Sequence, residues 1–122
     1  MQVKDNLEQP VIQEVKTSLW KIKKSFTVYF TYKRIVYKVN VPVNFKTDLT
    51  STPKILWSIY PPFGMYSRGA VAHDYMYKHK LFDRKVCDYG FRELMKQNDV
   101  GLFTRNSFYL IVRLFGWTRY QK

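Results

Sequence analysis

Two segments in the first third of the chain alternate between apolar and polar positions, which is the pattern of strands with one buried face. The apolar positions are Trp20, Ile22, Phe26, Val28 and Phe30 in the first segment and Ile35, Tyr37, Val39 and Val41 in the second. The pattern predicts two antiparallel strands joined by a turn at residues 32–34, a stretch with no Gly or Asn to fix the turn. Pro42 is expected to end the second strand or to hold it at a sheet edge, and residues 43–45 are a candidate third strand.

The rest of the chain predicts four helices separated by turn and cap residues. The candidate N-terminal caps are, in chain order, Ser51 or Thr52, Ser67, Asp83 and Thr104. The first helix would begin at Pro53 and stop before Pro61, and the last would end at Gly116. Because few residues separate the second and third helices, these two are expected to pack as an antiparallel pair.

Apolar residues recur at helical spacing on the third and fourth predicted helices. They are Cys87, Phe91, Leu94 and Met95 on the third and Phe108, Ile111, Val112 and Phe115 on the fourth. Together with the strands they predict an α+β fold, with an N-terminal β-hairpin or small antiparallel sheet followed by three to four helices. Residues 1–17 are polar and are expected to form an extended arm, or a partly ordered one that docks on something else. Residues 18–122 are expected to form a single α+β domain.

The chain is strongly basic: 21 Lys and Arg against 9 Asp and Glu give a formal net charge of +12 over 122 residues. Such a surface favours acidic partners, namely nucleic acid, an anionic membrane surface or an acidic protein, although a basic surface also serves solubility alone. The cations are spread along the chain and no groove-reading motif is present, so binding to nucleic acid would be non-specific and would fall with salt.

Cysteine usage and hydropathy limit the environment further. Cys87 is the single cysteine, which excludes an internal disulfide, and its place on an apolar helix face predicts a buried thiol. No apolar run approaches the ~20 residues that span a bilayer. The N-terminal residues lack the hydrophobic core of a signal peptide, so synthesis in a cytoplasm is expected.

The candidate chemistry lies on the second and third predicted helices. His73 and Tyr77 are four residues apart and share a helix face, and Asp74 lies about 100° further round. Packing of the helix pair would bring Asp88 to the His73 ring, whose tautomer it would fix. We predict a hydrogen bond from His73 or Tyr77 to a buried Asp88 within about 3.2 Å. His73 could then take a proton from water, while Asp74, with Asp48 as a further ligand, could hold calcium.

Structural roles explain the same residues. A single His–Asp pair on an amphipathic helix is more often structural than catalytic. Asp88 could pair only with Arg84 or Arg92, each four residues away, and Asp48 could be a turn or cap residue. The sequence contains no phosphate-binding loop, no Cys/His zinc spacing and no nucleophile elbow, which excludes those classes of site.

Four motifs follow one another in the chain: VPVNFKTDLTSTPKILWSIYPPFG, AVAHDYMY, DRKVCDYGFRELM and YLIVRLFGWTRY. In this order they resemble an uncharacterised family, a domain of unknown function, found in tailed bacteriophages and prophages. The likeness covers roughly Val41 to Tyr120. It implies a phage source and brings no established activity with it.

The site is also similar to that of secreted and viral phospholipases A2, in which a His-Asp-x-x-Tyr helix packs against a helix that carries a second Asp. This resemblance implies that His73 is the general base and that Asp74 binds calcium. It also implies that Asp88 orients His73, with Tyr77 in support. The chain departs from those enzymes where their calcium loop is Gly-rich, since PPFGMYSRG offers only two glycines, and it lacks the disulfides of the secreted enzymes.

Two functions are expected from these features. One is a phage envelope hydrolase, associated with the virion or with lysis, in which His73 activates water and calcium is the cofactor. The other is a non-catalytic virion component at the portal, neck or tail, which docks to neighbouring virion proteins or to DNA. Either protein would be made in the host cytoplasm and would be associated with the virion.

Overall fold

The computed structural model of the chain describes residues 11–16, 19–47, 67–116 and 120. The elements in these ranges are β1 (Ile12–Lys16), β2 (Leu19–Ile22), β3 (Phe26–Tyr32), β4 (Ile35–Val41), β5 (Lys46–Thr47), α1 (Ser67–His79), α2 (Arg84–Gln97) and α3 (Leu102–Phe115). The predicted α+β fold is confirmed, with the strands first and the helices after them. The helix predicted to begin at Pro53 lies outside the described residues. None of the helices in the described ranges is long and apolar enough to cross a membrane.

The described strands form two antiparallel sheets, where the sequence pattern predicted one β-hairpin or small sheet with a candidate third strand. In one sheet β2 lies between β1 and β5, and in the other β3 pairs with β4. The first predicted strand is interrupted at residues 23–25, because Lys-Lys-Ser breaks the alternation of apolar and polar positions. Before this break, the Ile22 N–H donates to the Phe45 carbonyl at 2.9 Å, and the Ile22 carbonyl accepts from the Asn44 N–H at 2.7 Å. Both backbone groups of Ile22 are thereby satisfied by the strand connection that leads into β5.

Part of the predicted arm is a strand of this chain. Ile12–Lys16 pairs antiparallel with β2, through a ladder whose register shifts between Glu14 and Lys16. The prediction had residues 1–17 as an extended arm, or as a partly ordered one that docks on something else, and did not include pairing of residues 12–16 with a strand of the same chain. The difference arises because the apolar residues of this segment do not alternate, so that the pattern carried no strand signal.

The hairpin of β3 and β4 is regular along its whole length. Its ladder runs from Phe26 opposite Val41 to Tyr32 opposite Ile35, which leaves a two-residue turn inside the predicted range. Both turn residues have left-handed backbone angles, with φ of 50° at Lys33 and 68° at Arg34. A type I′ turn requires this conformation, which Asn-Gly adopts more readily.

The predicted third strand, residues 43–45, begins three residues before the observed strand β5. Residues 43–44 form a turn, in which Asn44 has a left-handed φ of 72°. The short strand that follows is β5, whose Lys46 and Thr47 pair with β2. Asn tolerates this conformation better than other residues with a side chain, so the turn forms where the pattern predicted a strand.

α1 and α2 form the predicted antiparallel pair. Arg68, near the start of α1, donates to Gln97 Oε1 at the end of α2 at 2.9 Å. Tyr77, near the end of α1, bonds to Asp88 in the first half of α2. The start of α1 thus contacts the end of α2, and the end of α1 contacts the first half of α2, so the two helices run in opposite directions.

The helix starts follow the predicted caps only in part. Ser67 is the first residue of α1, and Asp83 occupies the N-cap position of α2 without a side-chain cap hydrogen bond. Thr104 was wrong as the cap of the last helix, because α3 begins after Gly101. The reason is the tight turn before it: Val100 is buried and its N–H returns to an α2 carbonyl at 3.0 Å, so the next helix starts at once.

The core has two parts, one between the β3–β4 hairpin and the α1–α2 pair, and one between α2 and α3. The predicted strand-face residues that are buried are Ile22, Val28, Phe30, Val39 and Val41, whereas Ile35 is 56% exposed. The predicted helix core residues that are buried are Cys87, Phe91, Leu94, Met95, Phe108 and Val112. Ile111 is half-buried, and the Phe115 side chain lies outside what the structure describes. Gly116 ends α3 as predicted, and its N–H donates to the Val112 carbonyl at 2.8 Å.

Candidate functional site

A buried polar cluster at the centre of the helices is built on Asp88, which is fully buried on α2. His73 reaches it from α1, with Nε2 2.8 Å from Asp88 Oδ1. The hydroxyl of Tyr77, one turn further along α1, donates to the same oxygen. The predicted hydrogen bond to a buried Asp88 is therefore confirmed for both residues, because residues four apart on α1 face the same side of α2.

Two guanidinium groups approach the other carboxylate oxygen. Arg113 Nη1, on α3, donates to Asp88 Oδ2 at 2.8 Å. Arg84 Nη1, one turn before Asp88, lies 3.7 Å from the same atom. Arg84 also donates to the carbonyl groups of Val112 and Arg113, at 3.0 and 2.9 Å, which satisfies backbone acceptors near the end of α3. One carboxylate thus connects all three described helices.

Sequence reasoning named Arg84 as a partner of Asp88 and missed Arg113. The alternative partner Arg92 points elsewhere, because its Nε donates to Asn106 Oδ1 on α3 at 2.6 Å. One signal could have found Arg113, namely its position beside Val112 on the apolar stripe of α3. A cation beside a buried helix face is rarely left without a carboxylate partner.

The donor pattern fixes the tautomer of the His73 ring. An ionised carboxylate only accepts hydrogen bonds, so the hydrogen between Asp88 and His73 belongs to Nε2. In a neutral imidazole the lone pair then lies on Nδ1, which is the nitrogen that can take a proton from water. His73 is 2% exposed, so the residue has almost no contact with solvent in this conformation.

Aromatic packing holds the His73 ring in place. The ring centroid lies 4.1 Å from that of Tyr77 and 4.9 Å from that of Phe91. Burial, and then the hydrogen bond to Asp88, raise the pKa of Tyr77 above its ordinary value, so its hydroxyl is a lasting donor at neutral pH. Gly116 makes room for this hydroxyl, since a Cβ on Gly116 would lie 2.7 Å from it.

Asp74, the predicted calcium ligand that the structure describes, is not part of this cluster. Asp74 is buried, and its Oδ2 lies 3.4 Å from Lys78 Nζ, which also donates to the Lys46 carbonyl on β5 at 3.1 Å. Asp74 therefore lies towards β5, and Asp48 lies outside the described residues. Within the described ranges no group of three or more His, Cys, Asp or Glu side chains is placed to hold a metal ion. Because an ammonium group sits beside the Asp74 carboxylate, the described residues do not by themselves fit calcium.

The fold and the cluster define a class of protein: a small α+β protein in which one buried carboxylate joins a His, a Tyr and two Arg side chains from three helices. The chain belongs to a family described as "Protein of unknown function (DUF1353)", whose model matches residues 20–112. No curated protein and no solved structure matches the chain. The matched range includes His73, Tyr77 and Asp88, so the centre of the cluster lies within the family domain.

Proposed function

We propose that the protein is a bacteriophage hydrolase that cleaves an ester of the bacterial envelope, with His73 as general base and Asp88 as the residue that orients it. The observation that supports this proposal is the 2.8 Å contact between His73 Nε2 and Asp88 Oδ1, with the Tyr77 hydroxyl on the same oxygen. A His whose far nitrogen is held by a carboxylate has its other nitrogen oriented for proton transfer. The phage source rests on the resemblance of the four sequence motifs, and so does the expectation of a virion-associated protein.

In the proposed reaction His73 first accepts a proton and then donates it. His73 Nδ1 takes a proton from a water molecule as the water oxygen attacks the ester carbonyl carbon. The same proton then passes to the leaving alkoxide as the carbon–oxygen ester bond breaks, which leaves a carboxylic acid and an alcohol. Asp88 stabilises the imidazolium between these steps, and Tyr77 and Arg113 hold Asp88 in position. The net charge of +12 favours an anionic ester, such as an acidic phospholipid.

Calcium is assigned no step in this scheme, because the described residues do not complete a site for it. Asp74 and Asp48 remain predicted ligands. The resemblance to phospholipases A2 is the reason to test the ion. A calcium-dependent activity that Asp74→Asn abolishes would support that part of the proposal.

The experiment is release of fatty acid from phosphatidylglycerol vesicles, measured with calcium and with a chelator. The enzyme variants are His73→Gln and Asp88→Asn, and the matched control is His79→Gln, because His79 is an exposed histidine of the same helix. Loss of a general base lowers the rate by about 10²–10⁴-fold, while the control should keep the wild-type rate. Wild-type release no greater than that of His73→Gln at any calcium concentration would remove the hydrolase function.

A second candidate is a non-catalytic component of the phage particle at the portal, neck or tail. The observation that favours it is burial: His73 is 2% exposed and Asp88 0%, and Asp88, on α2, accepts hydrogen bonds from both α1 and α3. A polar network that is satisfied in this way can serve only to fix how the helices pack. Mass spectrometry of purified particles tests this role, since a protein that is absent from the particles cannot be a component of them.

A further inference from the structure

α3 is apolar on two opposite sides. Phe108 and Val112 face the core. The outward side carries large apolar side chains that are more than half exposed: Leu102 at 58%, Phe103 at 70%, Leu110 at 57% and Leu114 at 57%. We call these four residues the α3 patch. A helix that needs one apolar face for its core and shows a second one to solvent has a further surface to cover.

The α3 patch follows one side of the helix in two parts. Phe103, Leu110 and Leu114 are spaced by seven and four residues and therefore lie in one line, with Leu102 beside it. The polar residues Asn106 and Ser107 lie on the same side between the two parts. The patch therefore occupies both ends of α3, separated by one polar turn.

Basic residues flank the patch through α2. Arg92 Nε donates to Asn106 Oδ1 at 2.6 Å, which places Arg92 at the border of the patch, where it also contacts Glu93 at 3.3 Å. Arg92 shares its side of α2 with the exposed Lys85 and Lys96, which precede and follow it at helical spacing. Apolar side chains thus lie beside a row of cations.

The size of the patch argues against a second copy of the chain as its partner. Four such side chains offer on the order of 500 Å², which is the range of functional patches on monomers. A stable dimer buries ~800 Å² on each partner. Two copies would also bring together two chains that each carry a net charge of +12, which opposes their association.

We propose that the α3 patch binds the surface of an anionic lipid bilayer, with α3 lying in the plane of the interface. Phe103, Leu110 and Leu114 insert among the acyl chains, and the cations of α2 contact the acidic headgroups. This combination of an apolar helix face and neighbouring Lys and Arg is what interfacial binding needs. Because the opposite side of α3 is already fixed in the core, the helix need not fold on binding. Docking on lipid does not require hydrolysis, so it stands apart from the proposed enzyme function.

The experiment measures binding to vesicles in the His73→Gln protein, which keeps the readout independent of hydrolysis. Vesicles of phosphatidylglycerol mixed with phosphatidylcholine are compared with vesicles of phosphatidylcholine alone. The test variant is Leu110→Gln with Leu114→Gln. The matched control is Ile35→Gln with Val36→Gln, because these β4 residues are also apolar and exposed, at 56% and 50%. Circular dichroism and the urea midpoint confirm that both variants are folded.

We expect binding to the anionic vesicles only, with a loss of about tenfold for each leucine replaced and no loss in the control. Equal binding by the test variant, or equal loss in the control, would overturn the assignment to α3. Equal binding to both vesicle types would overturn the anionic class of lipid. A dimer in sedimentation equilibrium that Leu110→Gln with Leu114→Gln dissociates would show that a second copy covers the patch instead.

Discussion

The Asp88 carboxylate is the shared acceptor that links side chains from the three described helices. Its Oδ1 accepts from His73 and Tyr77, and its Oδ2 accepts from Arg113 with Arg84 close by. The negative charge of a buried carboxylate with this many donors is fully compensated. Without the carboxylate, the same donors would be buried with no acceptor. Removing the carboxylate is therefore a larger change than removing any one of its partners.

Asp88→Ala is expected to lower the free energy of unfolding by about 2–4 kcal/mol, because it leaves buried donors and a guanidinium without their acceptor. The estimate is below the upper range for buried ion pairs because Arg113 and Arg84 are partly exposed, at 30% and 21% of their side chains. Urea denaturation measures it. Asp83→Ala is the control, since Asp83 is exposed and makes no side-chain cap hydrogen bond. A loss in Asp88→Ala no larger than in this control would contradict the role given to Asp88.

At the scale of residues, the sequence predicted the contact of Asp88 with the neighbouring helix and missed its contact with Arg113 on α3. The contact between His73 and Asp88 followed from helical spacing and from a short connection, which together fix what can meet across an antiparallel pair. Arg113 is 25 residues from Asp88 in sequence. Its approach depends on where α3 packs, which no local pattern encodes. The predicted metal roles of Asp74 and Asp48 stay predictions.

At the scale of elements, the close approach of α2 to the β3–β4 hairpin depends on a glycine. The Phe30 ring of β3 stacks on Tyr37 of β4, with centroids 5.2 Å apart and planes 13° apart. The ring also lies against Gly90 of α2, where an added Cβ would be 2.5 Å from Phe30 Cζ and 2.6 Å from Cε1. A side chain at position 90 would therefore require the Phe30 ring, which already packs on Tyr37, or the helix itself to shift.

Gly90→Ala is expected to destabilise the protein by about 1–2 kcal/mol. The gain in helix propensity, about 1 kcal/mol, is smaller than the cost of forcing a methyl group into the Phe30 ring, typically 1–3 kcal/mol or more. The control is Gly101→Ala, because a Cβ there meets nothing within 4 Å. Phe30→Leu should recover part of the loss in a double-mutant cycle measured by urea denaturation. Additive losses in that cycle would show that the two residues do not interact as described.

The element types were predictable where hydrophobic periodicity was long, as on α2 and on the β3–β4 hairpin. The division into two sheets was not predictable, because three polar residues at 23–25 are compatible both with an irregularity inside one long strand and with the end of a strand. The start of α3 was missed for a similar reason. The turn before α3 is stabilised by the burial of Val100. This is a tertiary effect, which cannot be predicted from cap residues in the sequence.

At the scale of the whole molecule, the protein combines a strongly basic sequence with a buried thiol and a buried phenol whose pKa values are raised. Burial, followed by the nearby Asp88 charge, raises the pKa of the Cys87 thiol to about 12. The pKa of Tyr77 is raised by burial and by its bond to Asp88. Below about pH 8 both groups are mostly protonated in the folded and the unfolded chain, so they leave stability nearly unchanged there.

Above about pH 9 the unfolded thiol ionises while the folded thiol keeps its proton, so the unfolded state is favoured as pH rises. We expect Cys87 to lower the free energy of unfolding between about pH 9 and 12, with a slope of up to ~1.4 kcal/mol per pH unit for one proton. Lysine deprotonation acts in the opposite direction in this range, because it relieves the repulsion of a chain with a net charge of +12.

The effect of the Cys87 thiol is therefore measured as a difference in stability between two proteins. The experiment is urea denaturation of wild type and Cys87→Ala at pH 7, 9, 10 and 11. The two proteins should differ by a nearly constant amount up to about pH 8, and the difference should then shrink as the wild type loses stability faster. Parallel curves over the whole range would show that the Cys87 thiol does not titrate differently in the folded and unfolded chain.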